Sequence, residues 1–186
     1  MYRWLPDRNL YLGGFMASGK STAARRLSAV LGLPWVDADK RIVEKAGVEI
    51  PEIFARYGEP HFRDLETQVI REISTRRPQI VALGGGAILK RQNVQRIKDT
   101  GALVCLLPSV DVIWGRVRGK KNRPLLLARD EAEQRRKLEL LYRQREELYR
   151  EHADLLIEPR EERQPEQTVR EILTWLEENG WLEPLK

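Results

Sequence analysis

The sequence predicts an α/β fold in which one parallel sheet lies between two layers of helices, a three-layer sandwich. Short apolar runs alternate with longer amphipathic stretches along the chain, as strands and helices do in such folds. The runs lack the polar alternation that marks a sheet with one solvated face. A glycine-rich segment directly follows the first run, at the strand end where open α/β sheets bind ligands. At 186 residues, the chain is predicted to form a single domain, 1–186.

The order of the elements follows from these patterns. Five apolar runs are predicted as buried strands, at 10–13, 35–37, 79–83, 102–107 and 154–157. Seven amphipathic stretches are predicted as helices, at 19–31, 42–57, 60–75, 90–99, 109–118, 130–152 and 166–178. Because strand and helix alternate, we expect right-handed crossovers between parallel strands. The basic, turn-rich segment 119–124 is predicted as an exposed mobile loop.

Charge and composition exclude several classes of protein. The net charge is +5, and the 33 Lys and Arg residues are interspersed with 28 Asp and Glu residues rather than clustered. A nucleic-acid-binding face needs such clustering, so we expect no nucleic-acid partner. The apolar runs are too short to span a bilayer and the N-terminus has no apolar leader, so we expect a cytoplasmic protein without a membrane partner. The single cysteine, Cys105, is predicted to pack in the core.

The segment GFMASGKS, residues 14–21, matches the phosphate-loop (P-loop) pattern G-x-x-x-x-G-K-[ST] in full. With a strand before it and a helix after it, backbone N–H groups and the positive helix end would cradle a phosphate. Lys20 is expected to bridge the β- and γ-phosphates, and the Ser21 hydroxyl to bind Mg²⁺. A tight turn with an incidental lysine is the alternative. The residues expected to contact the nucleotide here are Gly14, Phe15, Met16, Ala17, Ser18, Gly19, Lys20, Ser21 and Thr22.

Two acids follow the second predicted strand. If the strand continues through them, Asp37 and Asp39 project to the same side. The run at 79–86 contains no acid, so Asp37 is the candidate that orients the magnesium ion. Asp39 is then free to hold a hydroxyl group and accept its proton. The alternative is that either residue only caps the next helix.

An arginine and a glutamate interrupt the apolar stripe of the helix predicted at 60–75. Glu66 lies four residues after Phe62, and Arg63 is close enough to contact it on one helix face. A buried carboxylate needs a partner, so we expect Glu66 to orient the Arg63 guanidinium toward an anionic group. The alternative is a surface salt bridge that contributes well under about 1 kcal/mol.

A second arginine, Arg145, lies in the apolar stripe of the helix predicted at 130–152 and is expected to point inward. Three glycines, 84–86, follow a strand and would let a ligand lie against bare backbone. Arg123 follows the basic loop, where lid closure could bring it to a transferring phosphoryl group. The alternative for the glycines is that the loop needs positive φ, and the alternative for Arg123 is that it lies in a solvated basic loop.

Together these motifs resemble the shikimate kinase family. The segments that carry the resemblance are GGFMASGKST at 13–22, DAD at 37–39, FRDLE at 62–66, GGG at 84–86, RPLL at 123–126 and REELYREHAD at 145–154. The resemblance implies a five-stranded parallel sheet of order 2-3-1-4-5 with a lid at about 115–127 and a substrate-binding segment at about 38–66. It also implies transfer of the γ-phosphoryl group of ATP to the 3-hydroxyl of shikimate, with Mg²⁺, in a monomer.

The resemblance assigns roles residue by residue. The shikimate-contacting positions match Asp39, Arg63, Gly84, Gly85, Gly86 and Arg145, with Glu66 as the orienting acid and Phe54 and Phe62 as apolar contacts. The catalytic positions match Asp39, Lys20 and the lid arginine Arg123, and the metal positions match Ser21 and Asp37. Arg116 or Arg118 is expected to flank adenine, and Pro159 to border the base.

Two positions depart from the family pattern. Ala17 stands where the family usually has glycine, which strains the loop unless its φ is negative. Glu147 stands where the family often has proline, which should straighten the helix after Arg145. A gluconate or nucleotide kinase, and a relative that binds without catalysis, are the competing hypotheses.

Overall fold

The computed structural model describes residues 2–120, 123–159 and 161–185. The strands are β1 Tyr2–Trp4, β2 Asn9–Gly14, β3 Trp35–Asp37, β4 Ile80–Ala82, β5 Gly101–Leu106, β6 Leu155–Ile157 and β7 Leu182–Pro184. The helices are α1 Lys20–Leu31, α2 Ala38–Ala46, α3 Ile50–Ile73, α4 Arg91–Thr100, α5 Val110–Val117, α6 Glu131–His152 and α7 Pro165–Glu178. Short 3₁₀ turns lie at Ala87–Leu89 and Pro124–Leu126.

The large sheet has the predicted topology. Its five strands lie in the order β3-β4-β2-β5-β6, and every pair of neighbours is parallel. Numbered within this sheet alone, that order is 2-3-1-4-5. The phosphate loop follows the central strand β2, so it lies in the middle of the sheet edge where the strands end.

Alternate residues of each strand pack into two separate cores. Leu10 and Leu12 of β2 face α1 and α7, whereas Tyr11 between them faces the layer formed by α2 to α6. This period-two division is what a strand buried on both faces requires, and it confirms the three-layer arrangement. Cys105 of β5 is fully buried, as predicted, and burial raises the pKa of its thiol to about 12.

The helix predicted at 42–57 has the wrong bounds. The prediction of one helix over 42–57 is replaced by α2 and the first part of α3, because Gly47 takes φ 70° and ends α2 there. α2 begins earlier than predicted, at Ala38, since the Asp37 side chain caps it. The predicted break near residue 58 does exist: Gly58 has φ 78° and ψ 172° within α3, and Pro60 follows it.

The chain ends form an element that no pattern predicted. β1 and β7 pair antiparallel, with Tyr2 opposite Pro184 and Trp4 opposite Leu182. Trp4 and Trp181 pack edge to face, with ring centroids 5.3 Å apart. This two-stranded sheet joins residues from both ends of the chain, so only tertiary contacts reveal it. Among the described residues, no helix is both long and apolar enough to cross a bilayer.

Candidate active site

The site lies at the carboxyl ends of the strands in the large sheet. A cavity of about 1150 Å³ opens there, lined by the phosphate loop and by Asp37, Asp39 and Gly85. Arg123 and the residues just before α7 line its other side. This is the edge at which open α/β sheets bind ligands.

Lys20 lies folded against the phosphate loop. Its Nζ atom donates hydrogen bonds to the carbonyls of Phe15 at 2.7 Å and Gly14 at 3.1 Å. Burial lowers the pKa of Lys20 to about 8, with Asp39 opposing the shift and Arg123 adding to it. The lysine is therefore held by neutral carbonyls, at the position from which it can reach a phosphate oxygen.

The phosphate loop is strained at Ala17. This residue has φ 56°, and it is the one non-glycine residue with positive φ in the described part of the chain. The left-handed conformation costs a residue with a Cβ atom about 1–2 kcal/mol. The sequence allowed either a negative φ at Ala17 or a strained loop, and the positive φ shows that the loop is strained. Arg116 Nη1 donates a hydrogen bond of 2.8 Å to the Ala17 carbonyl, which ties the strained residue to α5.

Asp37 makes two kinds of contact at once. Its Oδ2 atom accepts a hydrogen bond of 2.7 Å from the Ser21 hydroxyl. Its Oδ1 atom accepts from the backbone N–H groups of Asp39 at 3.0 Å and Lys40 at 3.3 Å, which caps α2. β3 ends at Asp37, as predicted, and Asp39 lies in the first turn of α2, so the condition under which both acids would project to one side of a strand is not met.

The Ser21–Asp37 pair fits a magnesium ion. A hydroxyl and a carboxylate oxygen 2.7 Å apart face the cavity beside the phosphate loop. Mg²⁺ takes oxygen ligands and usually keeps waters and phosphate oxygens alongside one or two protein groups. Two protein oxygens next to a phosphate site meet that requirement.

Asp39 is half-buried and lines the cavity. Its Oδ1 atom has no hydrogen-bond partner within the described residues. Burial raises the pKa of Asp39, and the nearby Asp37 raises it further. Buried polar atoms are normally paired, so an unpaired carboxylate oxygen in a cavity is suited to accept a hydrogen bond from a hydroxyl group of a ligand.

Arg63 is held by two glutamates. Its Nη1 donates to Glu66 at 2.9 Å, while Nε and Nη2 donate to Glu59 at 3.1 Å and 2.9 Å. The side chains of Arg63 and Glu66 are 9% and 1% exposed, so the surface salt bridge considered as an alternative is ruled out. Burial alone would lower the pKa of Arg63, but the two glutamates outweigh it and raise it. Burial raises the pKa of Glu66, and Arg63 opposes that shift.

Sequence reasoning missed Glu59. The signal was available, because Glu59 precedes Arg63 by four residues, and an acid at that spacing contacts a basic residue on the same helix face. The Gly58–Pro60 break hid it, since a predicted helix boundary between the two residues removed the reason to pair them.

Arg145 also points inward, as predicted. It is 6% exposed on α6, and burial lowers its pKa. Its charge interacts with those of Arg63, Glu59 and Glu66. α6 runs without interruption from Glu131 to His152, so the helix continues through Glu147. The two arginines therefore approach one region from α3 and α6.

The Gly84–Gly86 turn lies among these groups. A Cβ atom on Gly84 would stand 2.6 Å from Asp39 Oδ1 and 2.7 Å from Glu66 Oε1, and one on Gly86 would collide with Arg63. None of these glycines has positive φ. Close approach of charged side chains, rather than backbone conformation, is the reason that glycine is required here.

The two phenylalanines lie beside Arg63. The rings of Phe54 and Phe62 are 4.9 Å apart, and the Arg63 guanidinium lies 5.1 Å from the Phe62 centroid. Phe62 is buried and Phe54 is partly buried. The two rings therefore form an apolar wall next to Arg63.

The side of the cavity opposite Asp39 holds a second set of residues, which includes those expected to form the lid and to border the base. Arg123 lines the cavity, and its buried Nε atom has no partner within the described residues. Arg116 lines it as well and pairs with Glu162, whereas Arg118 pairs instead with Glu131 on α6. Arg116 is therefore the better placed of the two arginines considered for adenine.

Several cavity residues on this side were not predicted. They are Lys120, Glu162, Arg163, Gln164, Pro165 and Thr168, which join the predicted Pro159 in lining the cavity. Three of them lie in the loop before α7 and two in the first turn of α7, and this segment approaches the phosphate loop only through the fold. Within the predicted lid loop 119–124, residues 121 and 122 lie outside the described residues.

The chain is similar to known shikimate kinases over most of its length. The shikimate kinase family model matches residues 16–177. The chain is 41% identical to the shikimate kinase of Geobacter sulfurreducens, covering 92% of both chains. It is 43% identical to that of Pseudomonas syringae pv. tomato, covering 92% of this chain and 97% of the relative. A solved shikimate kinase from Acinetobacter baumannii in complex with shikimate matches with a TM-score of 0.87 and 36% identity, covering 92% and 94% of the two chains.

Proposed function

Because this chain belongs to the shikimate kinase family, we propose that its site binds ATP and shikimate and transfers the γ-phosphoryl group to the 3-hydroxyl of shikimate. One observation supports this most directly. Arg63 and an unpaired Asp39 oxygen lie against the Gly84–Gly86 turn beside the phosphate loop, and a second buried arginine, Arg145, interacts with Arg63 from α6. A small acceptor with both a carboxylate and a hydroxyl group fits that arrangement.

The nucleotide side is assigned to the phosphate loop. Backbone N–H groups of residues 14–22 and the start of α1 would hold the β- and γ-phosphates. Lys20 would leave the carbonyls of Gly14 and Phe15 for the phosphate oxygens, with which it makes a charge-assisted bond. Ser21 and Asp37 would hold Mg²⁺, which neutralises phosphate charge when bound.

The acceptor side is assigned to the two arginines. Arg63 keeps free N–H donors beyond those bonded to Glu59 and Glu66, and a guanidinium can hold a carboxylate through two parallel bonds. Arg145 would bind the same carboxylate from α6. Phe54 and Phe62 would contact the ring of the acceptor, and the Gly84–Gly86 backbone would border it.

Asp39 is assigned as the group that positions the acceptor hydroxyl. The hydroxyl oxygen attacks the γ-phosphorus, the bond to the β–γ bridging oxygen breaks, and ADP leaves. The hydroxyl proton passes to Asp39, whose raised pKa makes it a better proton acceptor than an exposed aspartate. Lys20 and Arg123 would stabilise the charge on the transferring oxygens.

The decisive experiment is an assay of ADP release with different acceptors. We expect shikimate to stimulate release strongly, while gluconate and nucleoside monophosphates leave it near the background rate. Faster release with gluconate or a nucleotide would overturn the assignment of the acceptor. No stimulation by any acceptor, together with measurable ATP binding, would favour a binding module without catalysis.

Domain organisation and assembly complete the proposal. We assign residues 1–186 to one domain with a lid at about 115–127 and a substrate-binding segment at about 38–66. A monomer in the cytoplasm is the expected state, which sedimentation velocity and cell fractionation would test.

A further inference from the structure

Tyr149 makes a contact that the proposed reaction does not use. It lies on α6, is 1% exposed, and its hydroxyl donates a hydrogen bond to the carbonyl of Gly85. Burial raises the pKa of this hydroxyl, so it remains a donor throughout the neutral range. Gly85 is the middle residue of the turn between the two halves of the site.

The turn contacts a different functional group at each glycine. Gly84 lies against Asp39 and Glu66, and Gly86 lies against Arg63. A Cβ atom on Gly85 would stand 3.1 Å from the backbone nitrogen of Met16 in the phosphate loop. The turn therefore lies between the acceptor groups and the phosphate loop.

Glycine alone cannot hold such a turn in place. Glycine has more conformational freedom than any other residue, and three in succession contribute no side chain that could anchor the segment. The Ala87 N–H donates to the Gly84 carbonyl, and the Leu89 N–H donates to the Gly86 carbonyl. Both donors belong to the 3₁₀ turn Ala87–Leu89. The Gly85 carbonyl is instead held from another element, by Tyr149.

The same helix face carries Arg145. Residues four apart on a helix are neighbours, so Tyr149 and Arg145 approach the site side by side. A shift of α6 would thus move the arginine and release the turn at the same time. The bond between Tyr149 and Gly85 joins α6 to the turn and therefore opposes such a shift.

We propose that Tyr149 is a positioning residue, which sets the distance between the acceptor and the phosphate loop by fixing the Gly84–Gly86 turn to α6. This inference rests on the proposed function. The hydroxyl does not touch a reacting atom. It acts through Gly85 on the geometry of Asp39 and Arg63, and small misplacements of reacting groups reduce rates strongly.

The test compares Tyr149→Phe with Tyr11→Phe. Tyr11 is also fully buried, and its hydroxyl is hydrogen-bonded to Asn9 and Thr100 near the start of β5, away from the cavity. Each variant keeps its ring and removes one buried hydroxyl. Tyr11→Phe breaks two hydrogen bonds and Tyr149→Phe breaks one, so the control should lose at least as much stability. Only Tyr149→Phe should reduce kcat/KM for shikimate, by about tenfold, while the Kd for ATP changes less than twofold.

A second measurement reports directly on how firmly the Gly84–Gly86 turn is held. Hydrogen exchange of a peptide that spans residues 83–87 should accelerate in Tyr149→Phe and remain unchanged in Tyr11→Phe. Equal kcat/KM and equal exchange in both variants would show that the hydroxyl only stabilises the core, and would overturn the inference. If the unaltered protein phosphorylates no shikimate, the proposed function fails separately, and unchanged exchange in Tyr149→Phe would still reject the anchoring of the turn.

Discussion

The Asp37 carboxylate receives a 2.7 Å hydrogen bond from the Ser21 hydroxyl through one oxygen, while its other oxygen caps α2. One side chain thus connects the proposed magnesium site to the start of the helix that carries Asp39. From sequence, capping α2 and orienting a metal ion are alternative roles for Asp37, and the geometry allows both at once.

Substitutions at Asp37 should separate the two contacts. Asparagine caps helices as well as aspartate does, so Asp37→Asn should keep the stability of the protein but require several-fold more Mg²⁺ for half-maximal activity. Asp37→Ala should in addition lose about 1 kcal/mol of the free energy of unfolding. ADP release against Mg²⁺ concentration and urea unfolding measure the two effects. Unchanged Mg²⁺ dependence in Asp37→Asn would remove Asp37 from the metal site.

Asp39→Asn should bind ATP normally and lose turnover by about 10²–10⁴-fold, because the amide cannot accept the hydroxyl proton. Stopped-flow or coupled assays measure kcat, and fluorescence titration measures the Kd for ATP. Near-normal turnover would exclude Asp39 from proton transfer.

The same variant has a distinctive stability profile. A carboxyl group with a raised pKa stabilises the folded state in its protonated form, and that contribution is lost as pH rises through the folded value. Asparagine resembles the neutral form at every pH. Asp39→Asn should therefore be more stable than the unaltered protein at neutral pH, and the difference should shrink as pH falls toward about 4.

ATP affinity should fall at alkaline pH through Lys20. In the free protein this lysine loses its proton near pH 8, and phosphate contact favours the charged form. Binding above that pH therefore takes up a proton, and affinity should decrease by up to about tenfold per pH unit. Calorimetry in two buffers of different ionisation enthalpy measures the uptake. Lys20→Arg, which stays charged, should bind without this proton uptake.

Ala17→Gly should relieve the strain of the phosphate loop. Glycine adopts φ 56° freely, and its greater freedom in the unfolded chain offsets part of the gain. We expect a net increase of about 0.5–1 kcal/mol in the free energy of unfolding. Ala29→Gly, at an exposed position in the last turn of α1, is the matched control and should lose up to about 1 kcal/mol. A loss of stability in Ala17→Gly would contradict the strain at this position.

Arg63→Lys should weaken shikimate binding although the charge is kept. A lysine cannot bond Glu59 and Glu66 and still present two parallel donors to a carboxylate. The KM for shikimate should rise by about 100-fold, with the Kd for ATP unchanged. Arg41→Lys, at an exposed position on α2, should leave both constants as they are. Similar KM values in the two variants would reject Arg63 as the carboxylate ligand.

The sequence by itself determined the sheet, the phosphate loop and the inward direction of both arginines. These features follow from local rules: apolar runs predict buried strands, a complete motif predicts the loop, and a residue inside an apolar helical stripe must face the core. The inward direction of Arg63 and Arg145 was predictable because both lie in an apolar helical stripe. The prediction held although the bounds of the helix near Arg63 were wrong.

Tertiary structure alone decided the contacts between segments that are distant along the chain. The bond from Tyr149 to Gly85, the hydrogen bond from Arg116 to Ala17 and the pairing of β1 with β7 each join such segments. Hydrophobic periodicity and secondary-structure propensity describe how one segment folds. They do not indicate which distant residue will contact that segment. Asp37 shows the same limit, since its two contacts depend on where β3 ends relative to α1 in space.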